Sequence, residues 1–404
     1  MTQRTSWALL ACLALPCISA AQTTLTYEEA LARARTRAPR TLIAADRIHE
    51  IRGRIRGASL LLQNNPEIDF AAGRRNGAVG TTDYEAGIQQ TFELGGRRRA
   101  RVASARADLD RETAVSQNTV RELLRDVGVA FWKTIAARDR VSLAKSANDI
   151  ASDLLRSMER RLEAGDVRVL DVNAARVAAA RTRAELRSAE ANHLAASGDL
   201  RVLLGMTPVE PLELAGVLGI DRAYALQDLV AAATDRPEVR AITAEIREAE
   251  AQARLGRGFA WPDLGVGLRY EKDEGDNIVK GGVSLTLPLF SRGQEQQAVG
   301  AARAQRLRRE LEATKLAIAN EVRTAAEVYE RRRIASLELG QTAIRNLDEN
   351  EVLARRSFEE GELNLIELLL IRRDNLETRL LYVTQLLDTA VAAVELEARA
   401  GLLK

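Results

Sequence analysis

Residues 84–98 read Tyr84-Glu85-Ala86-Gly87-Ile88-Gln89-Gln90-Thr91-Phe92-Glu93-Leu94-Gly95-Gly96-Arg97-Arg98. Up to Phe92 the apolar side chains recur at every second position: Tyr84, Ala86, Ile88 and Phe92 share one face with Gln90, the period of a strand. Beyond Arg97 the period changes. Val102, Ala105, Leu109, Val120, Leu123, Val127, Phe131 and Ile135 are separated mostly by three, four or seven residues, which places them along one side of a helix. The Gly95-Gly96 pair marks the switch. No proline follows until Pro208, so the helix is predicted to run over 97–164, on the order of 100 Å at 1.5 Å per residue.

The same text occurs again. Ala38-Pro39 is echoed by Arg236-Pro237, Pro66-Glu67-Ile68 by Pro262-Asp263-Leu264, and Thr91-Phe92-Glu93-Leu94 by Thr286-Leu287-Pro288-Leu289. Gly165-Asp166-Val167 returns as Gly361-Glu362-Leu363, and Gly205 as Gly401. These landmarks keep one order and one spacing, the mark of an internal duplication. The predicted organisation is a signal peptide over 1–21, a first repeat over 22–207 and a second over 208–404. Strands are expected near 67–74, 84–93, 263–271 and 279–289. Long helices are expected over 97–164, 169–204, 294–358 and 365–400. All of these helical stretches are rich in Ala, Leu, Glu and Arg, strong helix formers with charges of both signs interspersed, as lateral coiled-coil packing requires.

The 404 residues carry 59 Lys and Arg against 57 Asp and Glu. That balance offers no electrostatic case for nucleic acid. Residues 1–21 combine Arg4, an apolar run from Trp7 and the small-residue end Ser19-Ala20-Ala21, a secretory signal. Leu9-Leu10-Ala11-Cys12 also fits a loose lipidation motif. Both cysteines, Cys12 and Cys17, lie in this segment, so cleavage after Ala21 would remove every thiol and with them disulfides, thiolate metal sites and cysteine nucleophiles. Beyond the signal no stretch is apolar over the roughly 20 residues a membrane helix needs. Entry into a membrane would therefore use β-strands.

In the second repeat Leu264, Val266, Leu268 and Tyr270 alternate with Gly265, Gly267 and Arg269, and Val283, Leu285 and Leu287 with Ser284 and Thr286. Trp261, Tyr84 and Tyr270 stand near strand ends, where interfacial aromatics belong. The pattern suits a membrane barrel strand, and a soluble sheet packed on its helices would share it. Four strands cannot close a barrel, and in lipid every backbone group must be paired, so copies must share one. Three copies would give twelve strands. The expected fold class is mainly α with a small β part: a duplicated helix-hairpin-helix repeat, its long α-helical barrel continuous with a twelve-stranded transmembrane β-barrel shared by a homotrimer.

This order of elements resembles the TolC-like outer membrane efflux protein family. The residues that carry the resemblance are Leu25-Thr26-Tyr27-Glu28-Glu29-Ala30, Asn65-Pro66-Glu67, Gln90-Thr91-Phe92-Glu93-Leu94-Gly95-Gly96-Arg97-Arg98 and Leu287-Pro288-Leu289-Phe290-Ser291-Arg292-Gly293. The third is similar to the heavy-metal-cation branch. The resemblance implies an outer membrane channel with a long periplasmic extension. It would work as a homotrimer docked by a periplasmic adaptor (membrane fusion) protein onto an inner membrane RND pump, with outer membrane lipid around the barrel. Such a channel is a passive exit duct in a tripartite system. Drug efflux and type I protein secretion use the same scaffold, and a periplasmic coiled-coil structural protein is a reading from another class.

The resemblance also assigns residues. The turns Gly165-Asp166-Val167 and Gly361-Glu362-Leu363 match the tips that meet the adaptor, while as plain helix ends they need glycine only for the left-handed conformation. Asp171 and Glu367 match the position of gate carboxylates, which in a trimer would form a ring favouring cations. They are also first-turn helix residues, where acids are favoured in any case. Family members often carry a second acid three positions on, where this chain has Ala174 and Leu370. Arg355 and Phe358 are candidates for contacts that hold a closed tip. No enzyme constellation, nucleotide loop, metal cluster or cofactor motif is legible. His49 and His193 are isolated and expected to be solvated, and Asp273, Glu274 and Asp276 sit in a short hairpin connection that lacks a calcium-loop pattern.

Overall fold

A computed structural model describes residues 24–75, 80–273 and 276–403. The expected signal segment, with Cys12 and Cys17, lies outside them, and so does Glu274. Two short helices, α1 (Tyr27–Arg37) and α2 (Pro39–Ala58), lead into strands β1 (Glu67–Arg75) and β2 (Thr81–Phe92) and then into α3 (Arg97–Glu163) and α4 (Val169–Leu204). A connecting segment and α5 (Leu226–Ala233) precede the second series: α6 (Pro237–Gly258), β3 (Asp263–Asp273), β4 (Asp276–Thr286), α7 (Gln294–Leu339), α8 (Arg345–Glu359) and α9 (Leu365–Arg399). Pro39 and Pro237 each occupy the first turn of a helix, where their missing N–H costs nothing. Thr26 and Glu29 close a reciprocal cap on α1, the Thr26 N–H donating to the Glu29 carboxylate at 2.8 Å.

α3 is one uninterrupted helix of 67 residues. Toward both ends its buried positions fall seven apart, Ala100, Ala107 and Ala114 on one side of the centre and Ala137, Ala144, Ala151 and Met158 on the other. That is a single coiled-coil seam in which small side chains let neighbouring helices approach closely. In the middle the helix is covered on several sides. Leu123, Leu124, Val127, Phe131, Trp132 and Ile135 are buried against α1, α4, α9 and the connecting segment. Tyr27 brings α1 into this core, stacking on Trp132 at 5.4 Å and meeting Phe131 edge-on at 5.6 Å. The N-terminal residues add a backbone tie to the segment between the repeats, Leu25 donating to the Glu213 carbonyl at 2.7 Å and accepting from Ala215 at 3.0 Å.

The four strands form one antiparallel sheet in chain order, so β2 and β3 join the two repeats while β1 and β4 are edges. The register sets Ile68 opposite Ile88, Ile88 opposite Leu268, and Val266 opposite Val283. Because directly paired residues share a face, Ile68, Phe70, Tyr84, Ile88, Phe92, Leu264, Val266, Leu268, Tyr270, Val279, Val283 and Leu285 stand together on one side, and these side chains are largely uncovered within the chain.

Three expectations need correction. The helix expected over 294–358 is interrupted by a π-helical turn, Gly340–Ile344, between α7 and α8. Periodicity does not reveal this, since one inserted residue leaves the apolar period on each side unchanged and shifts only its phase. The last strand, expected near 279–289, is β4, Asp276–Thr286: it pairs residue for residue with β3 out to Asp273 opposite Asp276, and Pro288, which has no N–H to donate, lies beyond its end. The second strand begins at Thr81, three positions before the expected Tyr84, for the same reason of pairing with its neighbour.

Candidate functional site

Both hairpins end in the same way. At the end of α3 the Asp166 N–H donates to the Arg161 carbonyl at 2.8 Å and the Gly165 N–H to that of Leu162 at 3.0 Å. At the end of α8 the Glu362 N–H donates to Ser357 at 2.8 Å and that of Gly361 to Phe358 at 3.2 Å. This paired 6→1 and 5→2 pattern needs a left-handed residue after the last turn, and Gly165 and Gly361 supply it with φ of 83° and 82°. A Cβ at either would meet nothing within 4 Å, so the backbone angle alone demands glycine within the chain.

The two tips are brought together. Leu154 and Met158 of α3, Val172 and Ala175 of α4, Ala354 of α8 and Leu365 and Leu368 of α9 make one buried cluster, with Val167, Leu363 and Phe358 packed on it. The Arg161 guanidinium lies over the Phe358 ring at 5.9 Å, a cation–π contact between the repeats. Arg355 stays exposed, 3.9 Å from Glu359 one turn on.

Asp171 and Glu367 occupy equivalent places, the third residue of α4 and of α9. The Asp171 carboxylate accepts from the Arg168 backbone N–H at 3.3 Å and from the guanidinium of the same residue at 3.2 Å. This pairing holds its pKa below the ordinary aspartate value. The Glu367 carboxylate accepts from the Asn364 N–H at 2.9 Å, and its own N–H donates to the Asn364 side chain at 2.9 Å. Each acid thus caps its helix, satisfying N–H groups that have no partner within the first turn. The sequence reading does not single out Arg168 or Asn364, although the spacing Asn364-x-x-Glu367 is a legible capping signal.

The remaining candidates separate. His49 is exposed on α2. His193 departs from the expected solvated residue: it is half-buried on α4, its Nδ1 has no hydrogen-bond partner among the described residues, and it lines a cavity of about 290 Å³ with Thr134, Arg138 and Ser197. Asp273 and Asp276 are the facing ends of β3 and β4. Among the described residues no group of three His, Cys, Asp or Glu could hold a metal ion, and no helix is long and apolar enough to cross a membrane.

A duplicated set of long helices joined to a small sheet with one bare, largely apolar face is the fold of outer membrane channels: the solved structure of CusC, described as a transmembrane channel, superimposes with a TM-score of 0.76 at 16% identity, covering 93% of this chain and 91% of that one. The chain belongs to the outer membrane efflux protein family, whose family model matches residues 58–206 and 229–402. This is the family expected from residues 90–98 and 287–293, a family of channels rather than enzymes, and it sets the protein in the outer membrane with its helices extending into the periplasm. Among curated relatives, the cobalt-zinc-cadmium resistance protein CzcC of Cupriavidus metallidurans is 26% identical over 380 residues, 93% of this chain and 90% of that one. Protein CyaE of Bordetella pertussis is 27% identical over 364 residues, 83% and 76% of the two chains.

Proposed function

We propose that this protein is the outer membrane duct of a tripartite efflux system and passes divalent heavy-metal cations. The observation that carries the reading is the sheet: a predominantly apolar, uncovered face and two edges, β1 and β4, that pair with no further strand among the described residues. In hydrocarbon an open edge leaves N–H and C=O groups unsatisfied, and pairing β4 of one copy with β1 of the next removes both edges. Three copies close twelve strands around a lumen, and their helices continue it as a tunnel. Similarity to CzcC along nearly the whole chain supports metal cations as cargo. The duct supplies passage; a periplasmic adaptor and an inner membrane RND pump supply the driving force.

At the tip, the turns 165–167 and 361–363 are the surface for the adaptor. The clamped acids Asp171 and Glu367 line the narrowest point, and Phe358 with Arg355 belongs to the contacts that keep it shut. The test is single-channel recording of the detergent-purified protein in a planar bilayer, paired with zinc, cobalt and cadmium tolerance of cells with and without the gene. A small cation-selective conductance, weakened in selectivity by Asp171→Asn with Glu367→Gln, and lower metal tolerance on deletion are expected. Protein that stays soluble without detergent and never conducts would exclude the duct, and unchanged tolerance to all three metals would exclude the cargo.

A further inference from the structure

The face of the sheet opposite the apolar one carries an interlocked set of charges. The register aligns Asp69 of β1, Gly87 of β2, Arg269 of β3 and Lys280 of β4 in one row across all four strands. The next row on this face holds Glu85 and Glu271, two residues further along the strands. Arg269 pairs with Asp69 at 3.4 Å and also with Glu85, and Lys280 pairs with Glu271. Gln89 donates to Ser284 at 3.0 Å just beneath them.

The floor under these side chains is glycine. A Cβ on Gly87 would stand 2.6 Å from the Asp69 carboxylate, so only glycine lets Asp69 reach across β2 to Arg269. Gly87, Gly267 and Gly282 keep an open cavity of about 260 Å³ above the row, lined also by Asp69, Arg269 and Lys280. These pairs are half-exposed, with Arg269 at 49% and Lys280 at 55%, and exposed pairs hold a sheet together only weakly. Their consequence is electrostatic: three carboxylates against two cations on each chain leave a net negative belt with both signs fixed in place.

Resting on the shared-barrel reading above, we infer that Asp69, Glu85, Arg269, Glu271 and Lys280 form a charge-selective belt inside the barrel, with Arg269 and Lys280 limiting how strongly it prefers cations. The belt lies in the membrane portion, apart from the helical tip, and filters ions even when the tip is open. Rings of fixed charge at a lumen wall set which ions pass. Removing the two cations would deepen the negative potential, and removing the acids would reverse it.

The test is the reversal potential of the purified protein in planar bilayers under a potassium chloride gradient, with assembly checked by heat-modifiable mobility on gels. Arg269→Gln with Lys280→Gln should raise the potassium-to-chloride permeability ratio about threefold, and Asp69→Asn with Glu85→Gln and Glu271→Gln should lower it by a similar factor or invert it. Exchanging the partners, Glu271→Lys with Lys280→Glu, keeps the net charge and should leave the ratio where it is. Channels that conduct with the natural ratio in both neutralised variants would overturn the belt while leaving the duct intact. If the neutralised variants fail to assemble, a ratio moved by the charge-conserving exchange as much as by Lys280→Gln alone would overturn it as well. A natural protein that forms no channel at all would overturn the duct reading on which the belt rests.

Discussion

Asp171 shows how one side chain serves both the fold and the proposed gate. Its carboxylate caps α4 and is held in its charged form by Arg168. Because its folded pKa lies below the unfolded value, the cap is at full strength above the ordinary aspartate range, about pH 4, and is lost only as pH falls through the depressed folded value. A conductance step assigned to Asp171 should therefore lie below about pH 4. Arg168→Gln removes the main cause of the depression and should move that step upward, toward the ordinary range. A step that stays in place in single-channel records of Arg168→Gln would show that another group sets it. The same side chain limits what the gate can do: an acid paired with an arginine three residues away presents less net charge to a passing cation than an isolated carboxylate would.

Among the elements, the two repeats differ most in their long helices. α3 is continuous, whereas its counterpart is interrupted by the π turn between α7 and α8. At that turn Gly340 lies against α9, where an added Cβ would come within 2.9 Å of the Tyr382 hydroxyl and 3.1 Å of its ring. Gly340→Ala should therefore destabilise the second repeat by about 1–3 kcal/mol, the usual cost of overpacking a close helix contact. Tyr382→Phe, which removes the nearest atom, should recover part of that loss in the double variant. Thermal unfolding of the detergent-solubilised protein reads both, and strictly additive effects would mean that the two residues do not press on each other. The break was hidden because an inserted residue shifts only the phase of the apolar pattern and leaves its period unchanged on each side. The left-handed glycines ending α3 and α8, by contrast, were legible from their order and spacing alone.

For the whole molecule, the decisive question is how the open edges close. With Cys12 and Cys17 confined to the expected signal segment, a cleaved chain offers a thiol-free background for engineered pairs. Cysteines at Ala71 on β1 and Gly282 on β4 lie on opposite edges of the sheet, too far apart to be joined within one copy by a short bismaleimide. Crosslinking in isolated outer membranes should give a ladder that stops at three chains on denaturing gels. A ladder that stops at two, or no ladder at all, would contradict a barrel shared by three. The proposed charge belt belongs to this scale too, since it becomes a ring only when the edges meet.

The sequence by itself determined the repeated order of elements, their types and the apolar face of the strands, because period, proline placement and repeated landmarks are local and survive without knowledge of contacts. It also carried the family, through stretches such as residues 90–98. Only the tertiary structure decided that Asp69 reaches Arg269 across Gly87, that Arg161 of one repeat covers Phe358 of the other, and that the two tips share one buried cluster. Each of these depends on which residues lie beside one another once strands are in register and helices are packed, and no period along the chain encodes that.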